Sequence, residues 1–394
     1  MKIAFLTAGG IAPCLSSSIG SLIEKYNELA PDANLMGYLN GYQGLLLGRS
    51  VIFPESVKKN FNRLHHFGGS PIGNSRVKLT NIDDCLNRGY IKQGEDPLEV
   101  AAEQLTKDRI DILHTIGGDD TNTMAAQLSF YLKKHGYDLT VVGMPKTVDN
   151  DVFPVSQTLG AWTAAEQGAI FFENIVNENT TSRRQLIIHE VMGRHCGWLT
   201  AQTALEYRKR IKEKFFLPEL LVDQNKWDID AIYIPEQDFN FQSEVDRLKK
   251  VMDEKDGVNI FLSEGAGQET IIRELESEGE IVPRDAFGHV RLDEINPGQW
   301  FAKKFTDKLG AEKTLVQKSG YFARSAKANK KDLELIKESA FFAAEKAIKG
   351  ESGLAGLDDD KDQQLELINF ERIKGGKPFN IKLDWYQSML KEIL

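Results

Sequence analysis

The sequence predicts a two-domain α/β fold with mainly parallel sheets flanked by helices. Short apolar runs, ended by glycine, proline or acidic residues, alternate with segments whose apolar residues recur at helical spacing, and this alternation is typical of βαβ units. A chain of 394 residues, 41% of them hydrophobic, is long enough to bury two cores. The charged fraction of 27% is that of a globular protein rather than a disordered chain.

The elements follow one another in a regular order. The apolar run at residues 3–6 predicts a strand, and the glycines and serines after it lead into an amphipathic helix around residues 19–26. Residues 110–116 repeat this pattern, and the next segment has apolar residues four apart up to Gly136, which predicts a helix that ends at a glycine. Further strands are predicted at 139–144, 185–191, 231–234 and 259–262, and a further helix at 159–175.

Domain boundaries are less sharply marked than the elements. The pattern favours a first domain over residues 1–145 and a second over 146–350, with a return of the chain between the domains left open. Residues 351–394 are expected to form a C-terminal extension that wraps the surface. Residues 207–229, which are charged and broken by a proline, have the character of an insertion.

Charge and composition exclude some classes of function. A net charge of -9 argues against non-specific nucleic-acid binding, which needs a basic surface. No run approaches 18 apolar residues, so we expect no membrane partner, and the first dozen residues do not have the pattern of a signal peptide. The 3 cysteines are too few and too scattered for a disulfide framework. A cytoplasmic protein is therefore expected.

Two glycine loops follow predicted strands. The glycine pair at residues 9–10 would leave backbone N–H groups facing an anion at the start of a helix, although a tight turn without a ligand explains it as well. The loop at residues 117–122 (GGDDTN) adds two acids. Asp119 could hold Mg²⁺ through one carboxylate while phosphates supply the other ligands. The alternative, a helix cap formed by one acid or the threonine, leaves the second acid unexplained.

A loop with one cation and two acids follows the strand predicted at residues 139–144. Residues 145–151 read PKTVDND. A general base that takes a proton from a sugar hydroxyl needs a carboxylate on a rigid turn, with a hydroxyl or amide nearby to orient the acceptor. Asp149 and Asp151 both meet this description. Asx-turns would use the same side chains, so the loop alone leaves the choice open.

Two further strand ends carry groups suited to a sugar phosphate. Arg194 follows the strand at 185–191 and suits bidentate phosphate recognition, although a lone strand-end arginine is commonly a surface ion-pair partner. Glu264, in the turn at 263–267 (SEGAG), could accept hydrogen bonds from sugar hydroxyls or cap a helix. Because ligands of parallel α/β sheets sit at the carboxyl ends of the strands, these groups predict a site there.

Taken in chain order, these motifs resemble the phosphofructokinase family over most of residues 1–350. Each motif is weak alone, whereas six in order are specific. The matching segments are residues 9–10 (GG), 69–76 (GSPIGNSR), 117–120 (GGDD), 145–151 (PKTVDND), 192–194 (MGR) and the turn at Glu264. The resemblance implies a phosphofructokinase-like fold of two α/β domains, with the phosphoryl donor on the first and the sugar phosphate between them. It also implies phosphoryl transfer to the 1-hydroxyl of fructose 6-phosphate.

The resemblance assigns roles residue by residue. Asp149 matches the general base, with Thr147 and Asp151 beside it as positioning groups. Asp119 matches the Mg²⁺ carboxylate, and Arg76 the arginine that stabilises the transferring phosphoryl group. The implied donor-binding residues are Gly9, Gly10 and Gly118. The implied sugar-phosphate residues are Thr147, Val148, Asp149, Met192, Gly193, Arg194, Glu264, Tyr321 and Arg324.

One phosphate-binding stretch departs from the pattern of the ATP-using members. Their histidine and arginine segment has no clean match, the nearest being residues 287–291 (FGHVR). Residues 320–324 (GYFAR) resemble instead the sugar-phosphate turn of the pyrophosphate-dependent branch, which is why Tyr321 and Arg324 are assigned as ligands.

Two positions decide the donor. ATP-using members usually have glycine where this chain has Asp120 and Lys146, and the Asp–Lys pair resembles the pyrophosphate-dependent branch. A carboxylate about 4 Å from an α-phosphate would repel it by roughly 4 kcal/mol at an effective dielectric constant of about 20. We therefore place Asp120 and Lys146 in the catalytic set. The expected reaction is reversible transfer from pyrophosphate to fructose 6-phosphate, giving fructose 1,6-bisphosphate and phosphate.

Other functions remain open on sequence grounds. The first is an ATP-dependent 6-phosphofructokinase, and the second is a catalytically silent sugar-phosphate sensor of the same fold. The presence of Asp149, Asp119 and Arg76 argues against a catalytically silent sensor, because binding of a sugar phosphate alone needs no general base. A lipid or dinucleotide kinase would share the GGD loop but not the PKTVDND and MGR segments. A homo-oligomer is expected, with a dimer favoured, although the arginine that crosses a subunit interface in ATP-using members aligns with Gln185.

Overall fold

The structure, a computed structural model, describes residues 1–279, 281–283 and 295–393. The FGHVR segment at 287–291 lies outside the described residues. The chain forms two compact units, one of Met1–Thr163 with Arg324–Lys377 and the other of Ala164–Ala323 with Pro378–Leu394. The units divide after Thr163 rather than at the boundary near residue 145 that the pattern favoured. The reason is that Lys146 donates its backbone N–H to Gly117 and Leu159 donates to Pro145, which keeps this loop in the first unit.

The first unit contains one seven-stranded sheet. Its strands are β1 (Lys2–Thr7), β2 (Asn34–Tyr38), β3 (Ser50–Ile52), β4 (Ile112–Gly117), β5 (Thr140–Pro145), β10 (Gly353–Asp358) and β11 (Gln364–Ile368). Their order is β11-β10-β5-β4-β1-β2-β3. The five inner strands pair in parallel, and β3 and β11 pair antiparallel at the edges. The carboxyl ends of β1, β4 and β5 therefore meet at one edge.

Helices surround this sheet. They are α1 (Leu15–Leu29), α2 (Tyr42–Leu46), α3 (Glu55–Lys59), α4 (Ile82–Asn87), α5 (Pro97–Asp108), α6 (Asp119–Lys134) and α14 (Lys330–Ile348), with short 3₁₀ turns at Phe61–His66, Asp359–Lys361 and Phe370–Arg372. The helical spacing of Met124, Leu128 and Leu132 buries that face of α6 in the core. Asp96 caps α5 by accepting from the N–H of Leu98.

The second unit has a four-stranded, fully parallel sheet. Its strands are β6 (Gln185–Val191), β7 (Ala231–Tyr233), β8 (Gly257–Ser263) and β9 (Lys313–Lys318), in the order β7-β8-β6-β9. Its helices are α8 (Trp198–Lys212), α9 (Gln224–Trp227), α10 (Phe241–Lys255), α11 (Gln268–Ser277), α12 (Pro297–Leu309) and α15 (Asp384–Ile393), with a 3₁₀ turn at Val176–Thr180. Helices α7 (Ala161–Ile175) and α13 (Gly320–Arg324) lie where the chain passes between units.

The predicted α/β fold with mainly parallel sheets is confirmed, and each strand predicted from the sequence is present. The prediction that the segment after residue 350 wraps the surface was wrong. Instead β10 pairs in parallel with β5, and Leu354 and Ile368 join a buried cluster with Val152 and Val155. The alternation of this segment with glycine and acidic residues hid its strands from sequence reasoning. None of the helices in the described part of the chain is long and apolar enough to cross a membrane.

Candidate active site

Lys146 lies buried beneath the first glycine loop. Its Nζ donates to the carbonyl oxygen of Gly10 at 2.6 Å, and only 3% of the residue is exposed. Gly9 has φ +90°, and a Cβ there would lie 3.2 Å from the lysine Nζ, so glycine gives the lysine room. The pKa of Lys146 is lowered to about 8, chiefly by burial and also by the positive charge of Arg76, while Cys14 and Asp149 act in the opposite direction.

The second glycine loop is held by Asn122, a residue to which sequence reasoning gave no role. Its buried amide donates to the carbonyl oxygens of Gly117 at 2.9 Å and Gly118 at 2.8 Å, and its Oδ1 accepts from Thr115 at 2.9 Å. Gly118 is the N-cap of α6 and no side chain caps the helix. The alternative reading of the acids in this loop as helix caps is therefore not realised.

The two acids of this loop have different surroundings. Asp119 forms no ion pair with any Lys or Arg of the described segments, and its carboxylate lies against the backbone of Gly375. Asp120 forms an ion pair with Lys78 at 2.5 Å, and both side chains are partly exposed. Lys78 lies two residues after Arg76, and only its position beside that motif could have pointed to it.

The loop at residues 145–151, which carries the predicted base and is here called the base loop, is stabilised by its own side chains. Thr147 Oγ1 accepts from the backbone N–H of Asp149 at 3.2 Å. Burial raises the pKa of Asp151, a hydrogen bond from Thr147 opposes this, and the negative charge of Asp119 raises the pKa further. Asn150 ties the loop to the segment that follows it, because its Oδ1 accepts from the N–H of Thr158 at 2.8 Å. Within the loop itself, the hydroxyl of Thr147 closes the short turn at Asp149.

Arg76 and the glycine loop are brought together by backbone pairing. Gly9 donates its N–H to Ser75 at 2.9 Å, and a Cβ on Gly10 would lie 3.5 Å from a terminal nitrogen of Arg76. The arginine is exposed and has no acidic ion-pair partner among the described residues. Val148 is buried in the loop after Lys146. Within the first unit, the residues predicted for the donor and the base therefore lie together.

In the second unit, the turns after β6 and β8 are hydrogen-bonded to each other. Ser263 Oγ donates to the carbonyl oxygen of Gly193 at 2.5 Å, and the N–H of Gly193 donates to Glu264 Oε1 at 3.4 Å. Burial raises the pKa of Glu264, and the hydrogen bond from Gly193 opposes this. Gly193 has φ +130°, which a side chain would strain. This locks Met192 and Arg194 on either side of a rigid turn.

The remaining predicted sugar-phosphate residues follow β9. Met192 packs against Gly320, where a Cβ would lie 3.0 Å from the methionine Cγ. Tyr321 and Arg324 lie three positions apart on α13, so they share a face of this short helix. The ends of β6, β8 and β9 are neighbours in a parallel sheet, which brings the three turns to one edge of the second sheet.

No group of three or more His, Cys, Asp or Glu residues able to hold a metal occurs among the described residues. The single carboxylate of Asp119 fits a different kind of metal site, in which the substrate supplies most of the ligands. Mg²⁺ is commonly held by one or two carboxylates together with substrate phosphates and water. Asp119 supplies such a carboxylate without a competing lysine or arginine in the part of the chain that the structure describes, and its charge acts on the neighbouring Asp151. A divalent ion would relieve this repulsion.

Parallel α/β sheets whose strand ends carry glycine loops, a buried lysine and neighbouring carboxylates form a site suited to phosphorylated ligands. The chain belongs to the phosphofructokinase family, whose profile matches residues 2–346. This confirms the family resemblance drawn from the motifs.

Named relatives match over most or all of the chain. The pyrophosphate–fructose 6-phosphate 1-phosphotransferase of Methylomonas methanica is 58% identical over 100% of this chain and 96% of its own length. The enzyme of that name from Propionibacterium freudenreichii is 54% identical over 100% of this chain and 97% of its own. An ATP-dependent 6-phosphofructokinase of Entamoeba histolytica is 27% identical over 90% of this chain and 72% of its own.

A solved structure shares the fold. The pyrophosphate-dependent phosphofructokinase of Marinobacter aquaeolei superposes with a TM-score of 0.70 at 20% identity, covering 100% of this chain and 90% of that one.

Proposed function

We propose that the chain catalyses reversible phosphoryl transfer from pyrophosphate to the 1-hydroxyl of fructose 6-phosphate. The observation that carries this proposal is Lys146, a buried cation hydrogen-bonded to the Gly10 carbonyl at the strand ends. A buried lysine is costly unless negative charge compensates it. Pyrophosphate is a small, highly charged anion and supplies that compensation. The relatives at 54% to 58% identity carry the name of this pyrophosphate-dependent activity.

The first unit supplies the donor groups in this proposal. Gly10 and Gly118 present backbone N–H groups to the pyrophosphate, and Gly9, whose own N–H donates to Ser75, lets the donor approach the loop closely. Lys146 and Arg76 supply positive charge, which stabilises the phosphoryl group in transit. Asp120, held by Lys78, stands where the α-phosphate of a nucleotide would have to pass and so disfavours ATP.

Asp149 is the general base. As the 1-oxygen of the sugar bonds to phosphorus, Asp149 takes the hydroxyl proton, and the bridging P–O bond breaks to release phosphate. Thr147 orients the turn through its hydrogen bond with the backbone of Asp149. In the reverse direction Asp149 returns the proton to the departing sugar oxygen. Asp151, whose pKa burial raises, lies beside the base and positions it.

The sugar phosphate is held by groups on turns. Met192, Gly193 and Arg194 form the turn that accepts the sugar, and Glu264 accepts hydrogen bonds from its hydroxyls. Tyr321 and Arg324 bind the 6-phosphate, since a planar guanidinium and a phenol suit phosphate oxygens. Thr147 and Val148 complete the contacts near the reacting hydroxyl.

Enzymes of this family generally need a divalent metal ion, and we propose that here it is Mg²⁺. Asp119 would hold it. When bound, the ion neutralises charge on the pyrophosphate oxygens. The chain's own part is to keep the Asp119 carboxylate free of lysine and arginine partners and directed to the donor.

One assay tests the function. Initial rates with fructose 6-phosphate are measured in parallel with pyrophosphate and with ATP, each with Mg²⁺. We expect turnover with pyrophosphate and at least a hundredfold lower kcat/KM with ATP. Comparable ATP turnover would replace the proposal by the ATP-dependent enzyme. Binding of fructose 6-phosphate without turnover on either donor would replace it by the silent sensor.

We further propose that the protein is a cytoplasmic homo-oligomer, with a dimer favoured. Between α8 and α9 the side chains of Phe215, Leu217, Leu220 and Leu221 are exposed, and an apolar patch of this kind supports self-association. The cysteines Cys14, Cys85 and Cys196 are buried thiols, in keeping with a reducing compartment. Light scattering on the purified protein and on a Leu220→Ser, Leu221→Ser variant tests the association.

A further inference from the structure

A short C-terminal segment lies on the base loop of the first unit. This segment, residues 374–377, is here called the strap. Lys374 and Phe153 exchange backbone hydrogen bonds of 3.0 and 2.8 Å, and Lys377 donates its backbone N–H to Asp151 at 2.9 Å. The strap therefore fixes the backbone from Asp151 to Phe153, more than 220 residues away in sequence.

The strap is anchored at both ends. Before it, Ile373 is buried with Val152, Val155 and other apolar residues. At its end, the Nζ of Lys377 donates to the carbonyl oxygen of Val155 at 2.7 Å and forms an ion pair with Asp359 at 2.5 Å. The two residues between Lys374 and Lys377 are exposed glycines, Gly375 and Gly376. An anchored segment with two glycines in its middle has a fixed course and no side chain to fill the space beside it.

Gly375 has a steric reason to be glycine. A Cβ at this position would overlap the carboxylate of Asp119. Its backbone lies outside the positive-φ region, so conformation alone does not call for glycine there. Gly376 is the opposite case, because it has φ +76° and a Cβ would meet no atom within 4 Å. Gly375 is thus required by its neighbour Asp119, and Gly376 by its own backbone.

We propose that Gly375 is a positioning residue for the donor site, which sets the place of the Asp119 carboxylate while the strap holds the base loop. The inference rests on the proposed function, because it takes Asp119 as the carboxylate that meets the metal-bound donor. The absence of a side chain at residue 375 leaves the carboxylate its position at the start of α6. A methyl group there would displace the carboxylate and weaken the metal-dependent part of pyrophosphate binding.

Calorimetry tests this on the full-length protein, with pyrophosphate titrated at saturating Mg²⁺ and without Mg²⁺. The dissociation constant without Mg²⁺ divided by the dissociation constant with Mg²⁺ measures how much the metal strengthens pyrophosphate binding. This ratio does not depend on turnover. We expect Gly375→Ala to lower this ratio about 10- to 100-fold, the usual effect of disturbing a group that orients a metal ligand. Asp119→Ala should lower it at least as much, and the double variant no further than Asp119→Ala alone.

The matched control is Gly376→Ala, which strains the strap backbone without touching Asp119 and should keep the wild-type ratio. Thermal unfolding gives a second readout, because shortening Asp119 removes the clash. The Gly375→Ala, Asp119→Ala double variant should unfold at a higher temperature than Gly375→Ala, even if that single variant folds poorly.

Three results would each overturn the role of Gly375. They are a wild-type ratio of dissociation constants in Gly375→Ala, an equally lowered ratio in Gly376→Ala, and a double variant that unfolds at no higher temperature than Gly375→Ala. A wild-type ratio in Asp119→Ala would instead overturn the metal role of Asp119 in the proposed function.

Discussion

In the proposed mechanism single residues at the strand ends carry the chemistry, and Asp149 is the one on which turnover depends most directly. Asp149→Asn keeps the shape of the side chain but cannot accept the hydroxyl proton. We expect kcat to fall at least about a hundredfold, with the KM for fructose 6-phosphate changed little. Steady-state kinetics of the purified variant measures this. Asp83→Asn, which removes a carboxylate at an exposed position of α4, is the control for loss of charge alone. A kcat of Asp149→Asn within a few-fold of wild type would remove Asp149 from the role of base.

The charge of Lys146 predicts a pH dependence. Its pKa is lowered to about 8, so the lysine is positively charged below that pH and loses its charge above it. Because kcat/KM reports the free enzyme, kcat/KM for pyrophosphate should fall as the pH rises through about 8. Lys146→Arg, whose guanidinium stays charged, should lack this decline. Rates at fixed magnesium pyrophosphate over pH 6.5 to about 9.5 measure the profile, and the same decline in Lys146→Arg would assign it to another group.

The same shift has a consequence for stability with a definite sign. The unfolded chain holds the lysine proton up to its ordinary pKa of 10.5, whereas the folded chain releases it near 8. Between these values the unfolded state binds more protons, so the contribution of Lys146 to stability increases with pH over this window.

In the proposed mechanism the choice of phosphoryl donor also depends on single residues. Asp120→Gly removes a carboxylate that would repel a nucleotide phosphate by roughly 4 kcal/mol at an effective dielectric constant of about 20. The ion pair with Lys78 already offsets part of this repulsion, so we expect kcat/KM for ATP to increase by only about tenfold. Adding Lys146→Gly should abolish use of pyrophosphate while sparing ATP. The measurement is kcat/KM for both donors in the three proteins. Unchanged ATP use in Asp120→Gly would refute the electrostatic explanation.

At the scale of elements, the start of α7 depends on a buried acid from α14. Asp332 accepts from the N–H of Gly160 at 3.1 Å and from the N–H and hydroxyl of Thr163 at 2.7 and 2.5 Å. Asp332→Ala leaves these donors buried without acceptors, which should cost about 3 kcal/mol. We expect a lower urea midpoint, with a smaller decrease in Asp332→Asn because it keeps an acceptor. Asp307→Ala, on an exposed position of α12, is the surface control, and an equal midpoint in Asp332→Ala and Asp307→Ala would contradict the capping role.

At the scale of the molecule, the first sheet is completed by the end of the chain. β10 pairs with β5, although it lies beyond residue 346, where the family match ends. Removing residues 351–394 would expose the edge of β5 and uncover the apolar cluster around Val152 and Val155. We therefore expect a chain ending at residue 350 to be insoluble or unfolded by circular dichroism and inactive. A folded, active product of this deletion would show that the sheet is complete without β10.

The local pattern of the sequence was enough to predict the strands named above, the glycine loops and the motif residues. Apolar periodicity and glycine stops are properties of neighbouring residues, so the sequence by itself determined the alternation of strands and helices. It also determined the positions of Asp119, Lys146, Asp149 and Glu264 at the strand ends. The family resemblance added a function to these positions, because six weak motifs in a fixed order are specific together.

Only the tertiary structure decided which distant segments complete the site. Three features join residues more than 150 positions apart in the sequence. They are the contact of the strap with Asp119, the pairing of β10 with β5, and the capping of α7 by Asp332. The partner of Asp120, Lys78, and the loop brace Asn122 are polar residues with no distinctive spacing. Such contacts depend on how folded surfaces fit one another, and since no periodicity of the local chain encodes that fit, the sequence pattern could not reveal them.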